Sequence, residues 1–524
     1  MLPSRRTPGP RPAPNIGRRR ALRALLLGAA SVTSAGRSSA WARSRDARAA
    51  PPDRELRGVW IASVANIDWP AAPGLSADRL RADFVGQLDH CRAIGLNAVF
   101  VQIRPTADAF WPSPFEPWSQ WLTGTQGQDP GWDPLAFMVD AAHERGLAFH
   151  AWFNPYRVAI QPDRAKLLPS HPARRHPDWT VRYGGGLYYN PGVPAARRFV
   201  ERAMMDAVTR YEIDGVHFDD YFYPYPVAGQ DFPDDDAFAT YGAEFTDRAA
   251  WRRHNVDLLV REMRDLVRAA RPEAAFGVSP FGVWRNVRSD PAGSDTSARA
   301  ESYDALYADT RSWIRNGWLD YVAPQLYWYI GYAPADYRVL ATWWAEQTAG
   351  TDTQLWIGQA VYHVGAPEQP APWQDPAELS RHLALDDALP QIGGTILFSA
   401  TDVRADRLGA IRKLAAEHWQ RPVLGPLLPR LATGPAPSRP TVGLASDDQG
   451  RARLMFQHAA GESPFQYAVH RSDTATGTAV LIAVVPGGTD SLALPGAGPA
   501  WYTVAAVDRA GRLGQTSPPV ALPS

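Results

Sequence analysis

The chain holds one cysteine in 524 residues, Cys91, so it can form no intramolecular disulfide and its fold must rest on packing. That cysteine also lies far from the N-terminus, which excludes a lipid anchor on a cysteine there. Long hydrophobic runs are missing as well: no stretch reaches the about 18 consecutive apolar residues that a membrane-spanning helix requires. Positive charge is scarce where most binding surface would lie. Basic and acidic residues number 54 each, but residues 1–50 take 11 Arg and one Asp, which leaves 43 basic against 53 acidic residues in the remainder. A body with that acidic balance argues against a nucleic-acid partner, because binding phosphates needs the opposite sign.

What is present fits a large folded protein. A composition 45% hydrophobic and 21% charged supports a sizeable core and an accessory domain. The 20 Trp and 19 Tyr exceed what core filling requires, and flat rings of this kind stack on sugar faces. At the N-terminus, Gly17-Arg18-Arg19-Arg20-Ala21-Leu22-Arg23 precedes an apolar stretch, 24–30, and small-residue sites within 38–42. This reads as a twin-arginine export signal over 1–42 with a linker over 43–53. A periplasmic or secreted protein without a stable membrane anchor is therefore expected.

From Leu56 onward, short β-branched and aromatic runs alternate with longer amphipathic stretches. The strand-like runs are 56–64, 97–105, 147–155, 215–222, 275–282, 321–328, 354–362 and 394–400. Helices are predicted over 77–94, 134–145, 195–211, 251–270, 303–316 and 402–418. The pattern predicts an α/β fold, a (β/α)8 TIM barrel over 54–420. A Pro-rich linker, 421–440, leads to short alternating runs over 441–524, which predict a small all-β sandwich resembling a fibronectin type III module. Truncation near Pro437 is expected to leave the barrel folded.

In such barrels reacting groups gather at the C-terminal ends of the strands. Those ends carry Asn66 and Asp68, Arg104, Asn154, Asp219 and Asp220, Ser279, Gln325 with Tyr327 and Trp328, Tyr362 and Ser399. The stretch Asp214 to Pro224 is the most informative. Strand alternation puts Val216 and Phe218 on one face and His217, Asp219 and Tyr221 on the other, so Asp219 points into the mouth with His217 below it. Asp220, where the strand curls into its loop, can turn to the same cavity. Glycoside cleavage needs one carboxyl group to protonate the leaving oxygen and another group to stabilise charge at the anomeric carbon. Two adjacent acids suit substrate assistance, in which the sugar's own 2-acetamido oxygen attacks; alternatively Asp219 is the nucleophile and the acid comes from another strand.

Substrate contacts are expected from Asn154, His217, Tyr221, Gln325, Tyr327 and Trp328. Arg104 could bind a sugar carboxylate or pair with Asp108 or a neighbouring acid. Trp284 could be a sugar platform or a loop anchor. The run Gly184-Gly185-Gly186 lacks the context of a phosphate loop and reads as a flexible tip. No cofactor and no metal are expected, because the nearest histidine pair, His171 and His176, has the wrong spacing for one-faced ligands.

Three separated segments carry a family resemblance: Arg54 to Ile61 with Asn66-Ile67-Asp68-Trp69-Pro70, His217 to Pro224, and Ala323-Pro324-Gln325-Leu326-Tyr327-Trp328. Over 54–420 they resemble the bacterial glycoside-hydrolase-like family ten, which includes an envelope enzyme hydrolysing denuded peptidoglycan strands. The resemblance implies a TIM barrel acting on a polysaccharide of N-acetylated sugars. Many relatives look like lipoproteins, whereas this chain has no lipobox cysteine. Two other readings stand beside it. A metal-dependent polysaccharide deacetylase would also use a Phe-Asp-Asp element, and a carbohydrate-binding scaffold would keep the cleft without turnover. The oligomeric state is open.

Overall fold

A computed structural model describes residues 54–458, 464–494 and 499–522, so the proposed export signal lies outside the described residues. Eight parallel strands close into a barrel: β1 Leu56–Ile61, β2 Ala98–Arg104, β3 Ala148–Phe153, β4 Gly215–Phe218, β5 Ala275–Val278, β6 Tyr321–Val322, β7 Gln354–Ala360 and β8 Ile392–Phe398. Each strand hydrogen-bonds to its sequence neighbours, and β1 closes the ring against β8, pairing Gly58 with Ile396. The helices that follow them are α1 Ala77–Ala93, α2 Pro134–His143, α3 Pro194–Arg210, α4 Arg248–Ala270, α5 Thr310–Arg315, α6 Tyr337–Thr348, α7 Glu378–Asp386 and α8 Ala410–His418.

The predicted elements are recovered with local departures that have physical causes. β6 is only two residues long because Pro324 has no N–H to give the ladder, and pairing beyond it survives as single bridges at Gln325. The helix expected over 303–316 is interrupted where Tyr307 takes a left-handed φ of 55°, and α5 starts afresh with the Asp309 carboxylate accepting from the Ser312 N–H. The helix expected over 402–418 likewise breaks at Asp406 and Leu408, both left-handed.

The barrel interior is a stack of rings rather than a pore. Phe100 stacks on His150 at 4.3 Å, and Tyr321 on Trp356 at 4.0 Å. Neighbouring strands must leave room for them: a Cβ on Gly215 would lie 2.2 Å from the His150 ring, and one on Gly277 would lie 2.3 Å from the Tyr321 ring. This floor forces the working cavity up to the C-terminal ends of the strands.

Residues 441–522 form three-stranded and four-stranded antiparallel sheets that share a core of Leu454, Phe456, Tyr467, Val469, Tyr502 and Val504. The sandwich sits under the barrel, away from the mouth. Arg92 donates to the Val484 carbonyl, Gln466 to the Gly146 carbonyl, and Arg512 pairs with Glu273, so its partners lie in the last turn of α1 and in the loops that enter β3 and β5. The connecting segment is pinned as well: Leu424 packs with Ala468 and Val507, and Arg430 pairs with the buried Asp320. Removing residues 441–524 is therefore expected to lower barrel stability by about 1.5–3 kcal/mol, the value of re-exposing one buried leucine. Exposed ion pairs lost with the module add little. Denaturant unfolding of the truncated and full chains checks this, and the strand ends at the mouth should keep their geometry because the module does not touch them.

Candidate active site

β4 delivers the central acids, and its pleat fixes their directions. Val216 and Phe218 join the core between sheet and helices, while His217 enters the barrel interior. The His217 Nε2 accepts from the Trp60 indole at 3.0 Å, and its Nδ1 lies 3.0 Å from the Tyr321 hydroxyl, which assigns the ring proton to Nδ1. Burial lowers its pKa well below the usual histidine range, so the ring is neutral. His217, expected to touch substrate, instead belongs to the sealed packing below the cavity.

Asp219 is gripped by three donors. Its Oδ2 accepts from Asn154 Nδ2 at 2.5 Å and Trp152 Nε1 at 3.2 Å, and its Oδ1 accepts from the Tyr221 N–H at 3.1 Å. The Asn154 amide cannot turn round, because its Oδ1 accepts from Gln102 Nε2 at 2.5 Å and Arg157 Nη2 at 2.9 Å. Gln102 is fixed in turn by the Ser63 and Val64 N–H groups, which donate to its Oε1 at 3.0 and 2.9 Å. Burial pushes the Asp219 pKa up, opposed by the Arg157 charge and by these donors.

Asp220 has a different environment. The Tyr225 hydroxyl donates to its Oδ2, and Gln325 Nε2 donates to its Oδ1 at 3.2 Å. The same Gln325 nitrogen donates to the Ser279 carbonyl at 2.9 Å, which sets the amide orientation. Burial, and then the neighbouring Asp219 charge, push the Asp220 pKa up to about 7. Because a tyrosine hydroxyl can donate or accept, the Tyr225 contact survives in either protonation state of Asp220.

Half-buried aromatic rings surround the pair. Arg157 lies 5.2 Å over the Tyr221 ring, Trp328 meets Phe281 edge-on at 5.5 Å, and Tyr327 stacks on Phe398 at 6.1 Å. Of the residues named from sequence, Asp219, Asp220, Asn154 and Gln325 are joined by direct hydrogen bonds. Tyr221, Tyr327 and Trp328 supply half-buried rings near them.

At two positions the structure selects the structural alternative over substrate contact. Arg104 does not face the cavity: it is fully buried, with Nε donating to Glu116 at 2.6 Å and Nη1 to the Pro155 carbonyl at 3.1 Å. An arginine at a strand end looks the same in sequence whether it serves a ligand or a buried acid. Arg104→Ala would strand the Glu116 charge, and a loss of about 3–5 kcal/mol in denaturant unfolding is expected. Trp284 is a loop anchor, buried with its Nε1 on Asp309 at 3.1 Å and its ring stacked on Trp343 at 6.0 Å. His171 and His176 also serve structure. The first uses both ring nitrogens on the backbone, at Ala107 and Ala173, and the second stacks on Trp179.

Sequence reading passed over Trp152, Arg157, Gln102 and Tyr225. Trp152 had a signal, since it stands two residues before Asn154 and so on the same strand face. Tyr225 had only its place in an aromatic and proline run.

Residues 55–375 match the glycosyl hydrolase-like 10 family. The chain belongs to this family. It is 46% identical over 430 residues to the glycosyl hydrolase YngK of Bacillus subtilis, covering 81% of this chain and 84% of that one. It is 42% identical over 363 residues to the glycosyl hydrolase DigH of Escherichia coli K12, covering 66% and 82%. Among solved structures, the PgaB (BpsB) glycoside hydrolase domain of Bordetella bronchiseptica aligns with a TM-score of 0.46 at 15% identity, over 70% of this chain and all but 1% of that domain, whose coverage is 99%. The protein is thus a glycoside hydrolase of the glycosyl hydrolase-like 10 family.

Proposed function

We propose that the protein hydrolyses N-acetylated glycan strands of the bacterial envelope, most of all peptidoglycan strands, with Asp220 as general acid and base and Asp219 as the carboxylate that orients the reacting acetamido group. The observation that carries this reading is the contrast between two adjacent buried acids. Asp219 is buried, which raises its pKa, but three donors and the Arg157 charge oppose that rise and favour its carboxylate form. Asp220 has its pKa raised to about 7 by burial and by the neighbouring Asp219 charge, an environment for an acid that keeps a protonated population at neutral pH.

A carboxylate offers about four lone-pair positions. Three are taken on Asp219, which leaves one on Oδ1 for an acetamido N–H and makes Asp219 a poor free nucleophile. In the first step the Asp220 proton passes to the glycosidic oxygen as the C1–O bond breaks, and the acetamido oxygen closes on C1. The Asp219 carboxylate balances the charge on the resulting oxazolinium ring. In the second step the Asp220 carboxylate takes a proton from water, the water oxygen bonds to C1, and the acetamido group is restored. The half-buried rings of Tyr221, Tyr327 and Trp328 suit stacking on the sugars that flank the bond.

The test is incubation with purified peptide-free glycan strands, followed by chromatography of the products. Shortened strands are expected. Strands retained at full length would support a carbohydrate-binding scaffold, and acetate released without shortening would support a deacetylase. The paired arginines at 18–20 support export to the periplasm or beyond by the twin-arginine route. Replacing Arg18 and Arg19 with Lys should block translocation, measured by cell fractionation.

A further inference from the structure

A groove separate from the Asp219–Asp220 cavity lies between the loop after β2, the insertion after β3 and α3. Its walls are aromatic and cationic: Phe115, His176, Trp179 and Phe199 with Arg175 and Arg202. A second concavity shares Pro114, Pro117 and Ser170 with it and runs on to Arg210, so the two form one elongated channel.

The charge in this channel is out of keeping with the rest of the molecule. Beyond residue 50 the chain has 43 basic and 53 acidic residues, yet Arg175 and Arg202 are exposed here and make no ion pair or hydrogen bond with the described residues. The acid that lines the groove adds no accessible negative charge, because the Glu116 carboxylate is fully buried against Arg104. The aromatic wall is rigid: the His176 ring lies on Trp179 at 3.9 Å and 8°, and Phe115 meets Phe199 edge-on at 6.4 Å. Unpartnered guanidinium groups are matched to carboxylates, which they bind in a planar fork, and fixed ring and proline surfaces are matched to sugar faces.

We propose that this groove is a second saccharide-binding site, which takes a carboxylate-bearing glycan segment outside the catalytic cavity. Under the function proposed above, that segment is a further part of the same strand, since a peptide-free peptidoglycan strand carries free lactyl carboxylates along its length. The site then holds long strands without taking part in bond cleavage.

The full chain carrying Asp220→Asn is titrated with a galacturonic acid hexamer and with its methyl ester, which keeps the sugar backbone and removes the charge. The acid is expected to bind and the ester to bind far more weakly. Reversing both charges in an R175E/R202E variant should weaken the acid by about tenfold, and binding should fall as salt rises. Equal binding of acid and ester, or no effect of the double variant, overturns the proposal. A hexaglutamate peptide that binds as tightly as the saccharide acid overturns the sugar assignment and makes the groove a peptide site. In the otherwise native enzyme, R175E/R202E should raise KM for long strands and leave kcat unchanged. If the native enzyme fails to cut strands, the proposed function falls while the hexamer titration still decides the groove.

Discussion

Asp220→Asn is expected to lower kcat on N-acetylated strands by about 100- to 10,000-fold while leaving the fold and strand binding largely intact. The residue touches only Tyr225 and Gln325 through its side chain, and Gln325 keeps its second contact to the Ser279 carbonyl when the carboxyl becomes an amide. Asparagine has nearly the same shape and has no proton to give. The pH profile sharpens the expectation. Burial and the Asp219 charge raise the Asp220 pKa to about 7, so the acid form is filled below that pH and lost above it. In the native enzyme kcat/KM should therefore fall on the alkaline side of about pH 7, and that limb should vanish in Asp220→Asn. A profile unchanged by the substitution, or a variant with near-normal kcat, would move the acid elsewhere in the cavity.

The same substitution separates folding from chemistry. Because Asp220 is buried beside a charged neighbour, its carboxyl group opposes folding at high pH more than at low pH: with the folded pKa raised to about 7, stability that is full below the ordinary aspartate value of about 4 is lost as pH rises from there through about 7. Asp220→Asn removes that cost. The variant should be at least as stable as the native chain above neutrality, which denaturant unfolding at two pH values measures.

How far the site was legible in the sequence follows from where each residue's direction is decided. On β4, alternation alone decides it, and Val216 and Phe218 do face the helices while His217 and Asp219 turn inward. What alternation does not give is depth. His217 and Asp219 share a face, yet one is closed over by Trp60 and Tyr321 and the other stands one layer higher, beside Arg157. The two readings of Arg104 could not be separated for a different reason: its partner, Glu116, is delivered by a loop that folds back twelve residues later, and no local period announces that return. Tyr225 was missed because it reaches Asp220 from an irregular loop, held where the Tyr183 hydroxyl accepts from the Val227 N–H at 2.7 Å. The barrel could be read because each strand and helix repeats a local pattern; its loops and buried pairs could not, because those depend on contacts between distant segments.

Asp219→Asn should cost turnover by a different route. The carboxylate makes its largest contribution where positive charge develops at the anomeric carbon, and removing one such preorganised group costs about 100- to 1,000-fold in kcat. The surroundings also make this variant less innocent than Asp220→Asn. Donors approach both oxygens of Asp219, two at Oδ2 and one at Oδ1, so an asparagine amide must point its NH2 group at a donor whichever way it turns. One lost buried hydrogen bond costs about 1–3 kcal/mol, and denaturant unfolding should register it. The role of Asp219 is then decided with the native enzyme. If it orients the acetamido group, strands stripped of their N-acetyl groups should be poor substrates and a thiazoline mimic of the cyclised sugar should inhibit. If it is itself the nucleophile, a 2-fluoro glycoside should leave the protein heavier by one glycosyl unit on Asp219, and de-N-acetylated strands should be cut as fast as acetylated ones. The three donors and the single remaining lone-pair position favour the first outcome, since a carboxylate held by hydrogen bonds on both oxygens is stabilised as an anion and correspondingly slow to attack carbon.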